Sequence, residues 1–298
     1  MPALPADSPS TPTATLVRAL AQSVGPAVVG LGKGWQAGSG VVVAQDRVLT
    51  VAHAATSDGN VVTFADGTRS NAKVLALDPD SDLAVLQTDT GGIAPVRLAA
   101  NGHPGLGADV VALADPGGRG LRVTHGLTSS DARALRGPSG RRIEGAIEHT
   151  APLPRGSAGS PLVAADGTLL GLNAIRAGAG LTLALPAPED AVERLVRGEA
   201  PQRARLGVAI APPHVARRMR RAVGLPDRDG LLVRAVHDDG PAARAGIQRG
   251  DLLVTMNDRP ITGLSTVQDA LDALQPPASL TLTLLRGLEE RETTIDFT

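Results

Sequence analysis

Gly156-Ser157-Ala158-Gly159-Ser160-Pro161-Leu162-Val163 joins a glycine-rich turn to an apolar run that opens on a proline. Glycines allow backbone conformations that a Cβ forbids, and proline suits the first residue of a strand. Downstream, Gly171-Leu172-Asn173 lies in a second strand-like run, residues 168–175. Upstream, Gly38-Ser39-Gly40-Val41-Val42-Val43 and Val48-Leu49-Thr50-Val51-Ala52-His53-Ala54 set a histidine at the end of an apolar strand. Between them, Asp78-Pro79-Asp80-Ser81-Asp82-Leu83-Ala84-Val85-Leu86 sets Asp82 directly before another. Taken singly, His53 reads as an ordinary strand-end histidine, Asp82 as a turn or cap residue, and the segment 156–161 as a loop.

The pattern around these segments is mainly strand. Residues 40–44 and 47–52 flank Gln45-Asp46, and residues 61–64 and 69–77 flank Ala65-Asp66-Gly67, whose Asp-Gly suits a tight hairpin. Further short runs follow at 83–87, 109–114, 121–129, 142–148, 161–164 and 181–185, as in a barrel or sandwich. Apolar spacing predicts a helix over 13–24 and another over 189–197 that ends at Gly198. Glu199-Ala200-Pro201-Gln202 reads as a linker. The expected organisation is a disordered Pro/Ser/Thr-biased tether over 1–13, one domain over 14–200 and a second over 203–298. The second mixes strands with two helices: a short one from Gly240-Pro241 to Gly246, and one from a capping box at Ser265-Thr266-Val267-Gln268.

Composition narrows the chemistry. The 298 residues contain no cysteine, which excludes disulfides, a thiol nucleophile, iron-sulfur centres and cysteine-rich zinc modules. One Trp, two Phe and no Tyr cannot supply the stacking platforms of a single-strand nucleic-acid binder, and a net charge of -1 gives no field for polyanions. The bases are nearly all Arg, with Lys only at Lys33 and Lys73, which reads as compositional bias. The six histidines (His53, His103, His125, His149, His214, His237) lack metal-ligand spacing, so no metal and no cofactor is expected. Arg217, Arg218, Arg220 and Arg221 read as a solvated helix face. No stretch approaches the ~18 apolar residues of a membrane span, and residues 1–13 lack the charged and apolar regions of a targeting segment. A tether of that composition often follows a signal or anchor, so a membrane tether trimmed from this chain is compatible with it.

In combination and in this order, His53, Asp82 and the 156–161 turn resemble the trypsin-like serine proteases, and more closely the HtrA/Deg family of protease-PDZ proteins. The resemblance runs from about residue 24 to residue 298 and implies a trypsin-like double β-barrel followed by a small α+β PDZ domain. A serine hydroxyl needs an imidazole to take its proton, and the imidazole needs a carboxylate to fix its tautomer. His53 and Asp82 fit base and orienter, and the N–H groups of Gly156 and Ala158 fit an oxyanion hole. The family pattern Gly-x-Ser-Gly-Gly/Ser-Pro places the nucleophile three residues before Pro161, at Ala158. Ser157 and Ser160 are out of register. Losing a triad serine costs on the order of 10⁶ in turnover, so the chain is expected to be inert as a protease. An engineered replacement of a native serine is favoured, because the rest of the triad is intact; a natural pseudoprotease acting as peptide-binding chaperone or adaptor is the alternative.

Other departures are Asp115-Pro116-Gly117-Gly118, where the family usually has Asn-Pro-Phe-Gly, and Pro152, Pro154 and Arg155 before the turn. Leu181-Thr182-Leu183-Ala184-Leu185-Pro186 looks like the family's Gly-Phe-Ala-Ile-Pro segment, so Leu181, Leu183 and Leu185 are expected to line a pocket for aliphatic side chains. In the second domain, Gly240-Pro241-Ala242-Ala243-Arg244-Ala245-Gly246-Ile247, Gly250-Asp251-Leu252-Leu253 and Asn257 look like a PDZ module. By that resemblance Arg205, Leu206, Gly207 and Val208 form the carboxylate-binding loop, and the strand through Ile210 adds the peptide as a further strand. Val267 and Leu271 are expected to divide between groove and core. The resemblance thus implies an ATP-independent serine endopeptidase of protein quality control, acting outside the cytoplasm on unfolded or C-terminally exposed polypeptides. It implies a homo-oligomer, a trimer, although Trp35 is the only aromatic near the N-terminus of the protease domain.

Overall fold

Short β-branched runs broken by glycine turns leave little length for helices, and strands dominate the first 200 residues. The computed structural model describes residues 11–32, 37–56, 59–100, 103–130, 133–137, 142–176, 181–201, 204–274 and 277–297. Trp35, and all of the expected tether except residues 11–13, lie outside them. The chain divides into two units, Met1–Ala200 and Pro201–Thr298.

The first unit opens with helix α1 (Pro12–Ser23), whose cap is the side chain of Thr11 accepting from the Ala14 N–H at 3.2 Å. Pro12 and Thr13 therefore stand in its first turn and not in the tether, since proline there has no N–H to leave unpaired. Strands β1 (Val28–Leu31), β2 (Gly38–Ala44), β3 (Arg47–Val51), β4 (Asn60–Thr63), β5 (Arg69–Asp78) and β6 (Leu83–Gln87) close a barrel in the order β1-β2-β3-β6-β5-β4. A second sheet uses β7 (Asp109–Ala114), β8 (Arg122–Leu127), β9 (Arg133–Arg136), β10 (Arg142–His149), β11 (Ser160–Ala164), β12 (Leu169–Arg176) and β13 (Thr182–Pro186), in the order β8-β7-β11-β12-β13-β10-β9. It curls back on itself: the Ser129 N–H donates to the Glu148 carbonyl at 2.8 Å, the Thr150 N–H to that of Leu127 at 3.0 Å, and Thr128 bridges His149. Helix α2 (Glu189–Val196) follows, and Gly198 turns the chain with a left-handed φ of 82°. Sequence reading missed β1 and β9, both only four residues long.

Period-two alternation explains how an aromatic-poor chain fills this unit. Along β7, Val110 and Ala112 belong to one buried cluster, with Ile147, Leu162 and Ala184; Val111 and Leu113 belong to another, which includes Val41, Leu49, Leu86 and Val192. Strand β7 is thus buried on both faces, whereas β9 at the end of the sheet is largely exposed. The inner cluster contains Ala99, Ala112, Ala151 and Ala184, so small side chains bring its walls together.

The second unit contains β14 (Val208–Ala211), α3 (Pro213–Ala222), β15 (Leu231–Val236), α4 (Pro241–Arg244), β16 (Leu252–Met256), β17 (Arg259–Pro260), α5 (Leu264–Asp272), β18 (Ala278–Arg286) and β19 (Glu289–Phe297). Its sheet runs β14-β15-β16-β18-β19, with β17 on β16, so β14 is an edge. Among the described residues it holds three helices where two were expected. The Arg-rich α3 buries Ala216 and Arg220, with the Arg220 guanidinium donating to the Pro226 carbonyl at 3.1 Å. Arg217 and Arg221 pair with Asp229 at 2.5 Å and Asp227 at 3.0 Å. The capping box does not form either. Gly263 is the N-cap of α5 and no side chain caps it, because the helix begins one residue before Ser265. Asp251, fully buried, is gripped by both Arg286 Nε and Nη2 at 2.8 Å, a bidentate pair that ties β18 to the turn before β16.

Candidate active site

His53 is placed by the end of β3, where the chain leaves the barrel in one tight turn, Ala52–Ala54. The turn is fastened to Asp82 three times. The Ala52 N–H donates to the Asp82 carbonyl at 2.9 Å, the His53 N–H to Asp82 Oδ1 at 3.0 Å, and His53 Nδ1 lies 2.6 Å from Asp82 Oδ2. Asp82 is buried and adopts a left-handed φ of 58°, which few residues other than Gly, Asn and Asp tolerate. The preceding turn supports it: Asp78 accepts from the Asp80 N–H at 3.0 Å and from Ser81 Oγ at 2.5 Å. Because the buried carboxylate can only accept, Nδ1 carries the proton and Nε2 is the basic nitrogen on a side chain 41% exposed. The hydrogen bond to Asp82 raises the His53 pKa above its ordinary value; partial burial opposes this, and the charge of Asp82 adds to it.

The turn at 156–160 comes from the second sheet and rests on the first barrel. The Ser39 N–H donates to the Ala158 carbonyl at 2.8 Å, and a Cβ on Gly38 would lie 3.2 Å from that carbonyl and 3.4 Å from the Ala54 Cβ. One residue, Gly38, therefore marks where the Ala158 turn meets the His53 turn. Gly159 (φ 83°) fits so closely that a Cβ would sit 2.3 Å from both the Ser39 carbonyl and Thr50 Oγ1. Its N–H donates to the Asn173 carbonyl at 2.7 Å. Among the described residues, the N–H groups of Gly156 and Ala158 have no hydrogen-bond partner within the chain.

Residue 158 presents a methyl group. Ser157 Oγ donates to the Pro154 carbonyl at 2.9 Å, and fully buried Ser160 is bound by Asn173 Nδ2, 3.0 Å from both its carbonyl and its Oγ. Both hydroxyls are committed elsewhere, so neither is a substitute nucleophile for His53. The Asp115–Gly118 turn packs beside the site, with the Asp115 N–H on Ser39 Oγ at 3.1 Å and the Gly117 N–H on the Gly38 carbonyl at 3.1 Å. Gly117 has φ 64°, a conformation that suits glycine where the family pattern has Phe.

A cavity of about 380 Å³ opens beside Ala158, walled by the 153–158 segment, Asn173, Ala174 and Thr182. Leu181, Leu183 and Leu185 do not line it. Strand β13 begins at Thr182, and alternation turns Thr182 and Ala184 to one face and Leu183 and Leu185 to the other, where Leu185 packs with Val192 and Leu195. A one-residue shift in register exchanges the two faces, which is why three leucines drew the reading past Thr182. The wall is Leu153 and Ala174 with Thr182, and both ends of the Asn173 amide are occupied within the chain, by Ser160 and by His149.

In the second unit, Leu206, Val267 and Leu271 are buried in one cluster, against which Val208 and Ile210 pack. Val267 and Leu271 are both buried in that core. The Leu206 and Gly207 carbonyls accept from the Ala242 N–H at 2.9 Å and the His237 N–H at 2.8 Å, pinning the loop to the turn that starts α4, with Gly207 at φ 75°. Arg205 is exposed. A separate cavity of about 560 Å³ lies between α5 and the β16–β17 turn, lined in part by Met256, Arg259, Asp269 and Leu274, and shares none of those groove residues.

Comparison with known proteins agrees with this geometry. Residues 38–172 match the trypsin-like peptidase domain family and residues 232–286 the PDZ domain family. The chain is 30% identical over 255 residues to a probable periplasmic serine endoprotease DegP-like of Brucella suis, covering 82% of this chain and 47% of the relative. It is 27% identical over 277 residues to the serine endoprotease DegS of Escherichia coli, covering 88% and 76%. It spans about half the length of the DegP-like relatives it matches. Among solved structures, the serine endoprotease from Yersinia pestis aligns with a TM-score of 0.64 at 25% identity, over 97% of this chain and 98% of that one. The HtrA-type protease AlgW with tripeptide aligns at 0.60 and 26%, over 94% and 96%. With a His-Asp pair and a glycine turn meeting on a trypsin-like unit, and a PDZ unit after it, the chain belongs to the HtrA/Deg family.

Proposed function

We propose that the chain is an HtrA-type, ATP-independent serine endopeptidase arrested at residue 158, so that as it stands it holds polypeptide without cutting it. One observation carries the reading: the His53–Asp82 pair is assembled, and the position it would serve bears the methyl of Ala158. Its substrates are unfolded or C-terminally exposed polypeptides of protein quality control, captured along the β14 edge and presented to the cleft. The cavity beside Ala158 takes aliphatic side chains, against Leu153 and Ala174. The names of the DegP-like relatives support an extracytoplasmic site of action. The family resemblance supports a homotrimer, which a trimeric mass in light scattering would bear out and a monomeric mass would refute.

The second reading is a natural pseudoprotease that serves as chaperone or adaptor, favoured by the commitment of both neighbouring hydroxyls, Ser157 and Ser160, to other partners. A single substitution separates the two. Ala158→Ser should restore casein cleavage if the remaining machinery is competent; an inert variant that still binds peptide C-termini through its PDZ unit leaves the adaptor reading standing.

A further inference from the structure

His149, at the end of β10, is fully buried and takes no part in the His53–Asp82 pair. Its Nε2 lies 2.7 Å from Asn173 Oδ1. Asn173 in turn holds the 156–160 turn at three points: its carbonyl takes the Gly159 N–H at 2.7 Å, and its Nδ2 reaches the Ser160 carbonyl and Ser160 Oγ, each at 3.0 Å. The Ser160 N–H then closes the turn on the Ser157 carbonyl at 3.0 Å. We propose that His149 is a positioning residue of the nucleophile turn: as the Nε2–H tautomer it locks the Asn173 amide, and through it the backbone around Ala158. The proposal rests on reading 156–160 as the nucleophile turn.

Hydrogen-bond logic fixes each orientation. A carbonyl can only accept, so the atom of Asn173 facing Ser160 must be the NH2 group, and the oxygen then faces His149. That oxygen also only accepts, so Nε2 must carry the proton. Nδ1 is left as a buried lone pair with no partner among the described residues. His53 is held in the opposite tautomer, protonated at Nδ1. Without the His149 donor, Asn173 Oδ1 would be a buried acceptor with nothing to bind, and the amide could rotate away from Ser160. Burial also lowers the pKa of His149, against the smaller raising effect of its bond to Asn173, which keeps the ring neutral as the lock requires.

The test uses the full chain, ¹⁵N-labelled. Long-range ¹H–¹⁵N correlation should show His149 protonated at Nε2 and bare at Nδ1; protonation at Nδ1, or averaging of the two nitrogens, overturns the proposal. His149→Leu should speed amide exchange at Gly159 about tenfold without changing the strands of the first barrel, and His149→Gln, which keeps an amide donor, should restore it. In an Ala158→Ser background, His149→Leu should lower kcat by about 10- to 100-fold with KM little changed, again with rescue by Gln. Unchanged Gly159 exchange in His149→Leu, or equal damage by Leu and Gln, refutes the lock. Should Ala158→Ser be inert, the enzyme reading fails while the tautomer and the exchange rates still decide the role of His149.

Discussion

The two sides of the cleft have been treated differently. On the first barrel the side-chain pair is assembled: His53 makes two contacts to Asp82 and Ala52 a third, which leaves Nε2 as the basic nitrogen. On the second sheet the turn is held as firmly, and residue 158 is an alanine. Gly159 nests against Ser39 and Thr50, Asn173 holds three groups of the turn, and Ala158 stands where the proposed function places the missing hydroxyl. The contrast teaches that this turn is held without a hydroxyl at residue 158. Backbone N–H groups, the left-handed Gly159 and the Asn173 amide hold it.

The largest effect should come from completing the second side. Ala158→Ser is expected to raise casein turnover by on the order of 10⁴ to 10⁶, and a gain near zero would mean that the scaffold only resembles a working one. Breaking the first side in that background comes next: Asp82→Asn should lower kcat about 10⁴-fold, because the amide cannot hold the Nδ1–H tautomer in place. Cleavage kinetics on one peptide series would check both. Third, Gly159→Ala should cost about 3 kcal/mol in urea unfolding of the first unit, the sum of left-handed strain and the collision with Ser39 and Thr50. Gly67→Ala is the control. It shares the left-handed φ, at 85°, but nothing lies within 4 Å, so about 1 kcal/mol is expected.

The smallest effect is the pH response, where the two histidines should oppose each other. The His53 pKa is raised on folding, so the folded state binds more protons than the unfolded chain just above pH 6.5. Its contribution is full below that pH and is lost as pH rises through the folded pKa. The His149 pKa is lowered, so the unfolded chain binds more protons just below pH 6.5. Its contribution is full above 6.5 and is lost as pH falls through the folded pKa. Melting temperatures from pH 5 to 8.5 should lose their acid-side slope in His149→Gln and their alkaline-side slope in His53→Gln. The same slope in both variants would deny the division.

Much of this was legible in residues close together in the chain. Leu83–Gln87 and Asp109–Ala114 read as strands because their apolar runs end at turn residues, and Asp66-Gly67 marked its hairpin. His53, Asp82 and Ala158 were singled out by resemblance to a family's motifs taken in order, and the structure brings their turns together around Gly38. What escaped depended on register. Thr182 was passed over for its leucine neighbours, since only strand pairing tells which alternate set faces a cavity. The capping box at Ser265 failed because α5 already starts at Leu264, which puts Ser265 inside its first turn. His149 and Asn173 gave no signal as a pair, being 24 residues apart on strands whose pairing is a long-range choice.

The sequence by itself determined the composition of the cores, the strand-rich pattern, the PDZ signature and the absence of a serine at 158. Each of these is a property of residue type or of neighbours along the chain, where periodicity and turn chemistry act. Only the tertiary structure decided that Ser157 and Ser160 are committed elsewhere, that Thr182 and not the leucines walls the cavity, and that His149 meets Asn173. Those outcomes depend on which strands pair and in what register, and on which buried donors find acceptors once water is excluded.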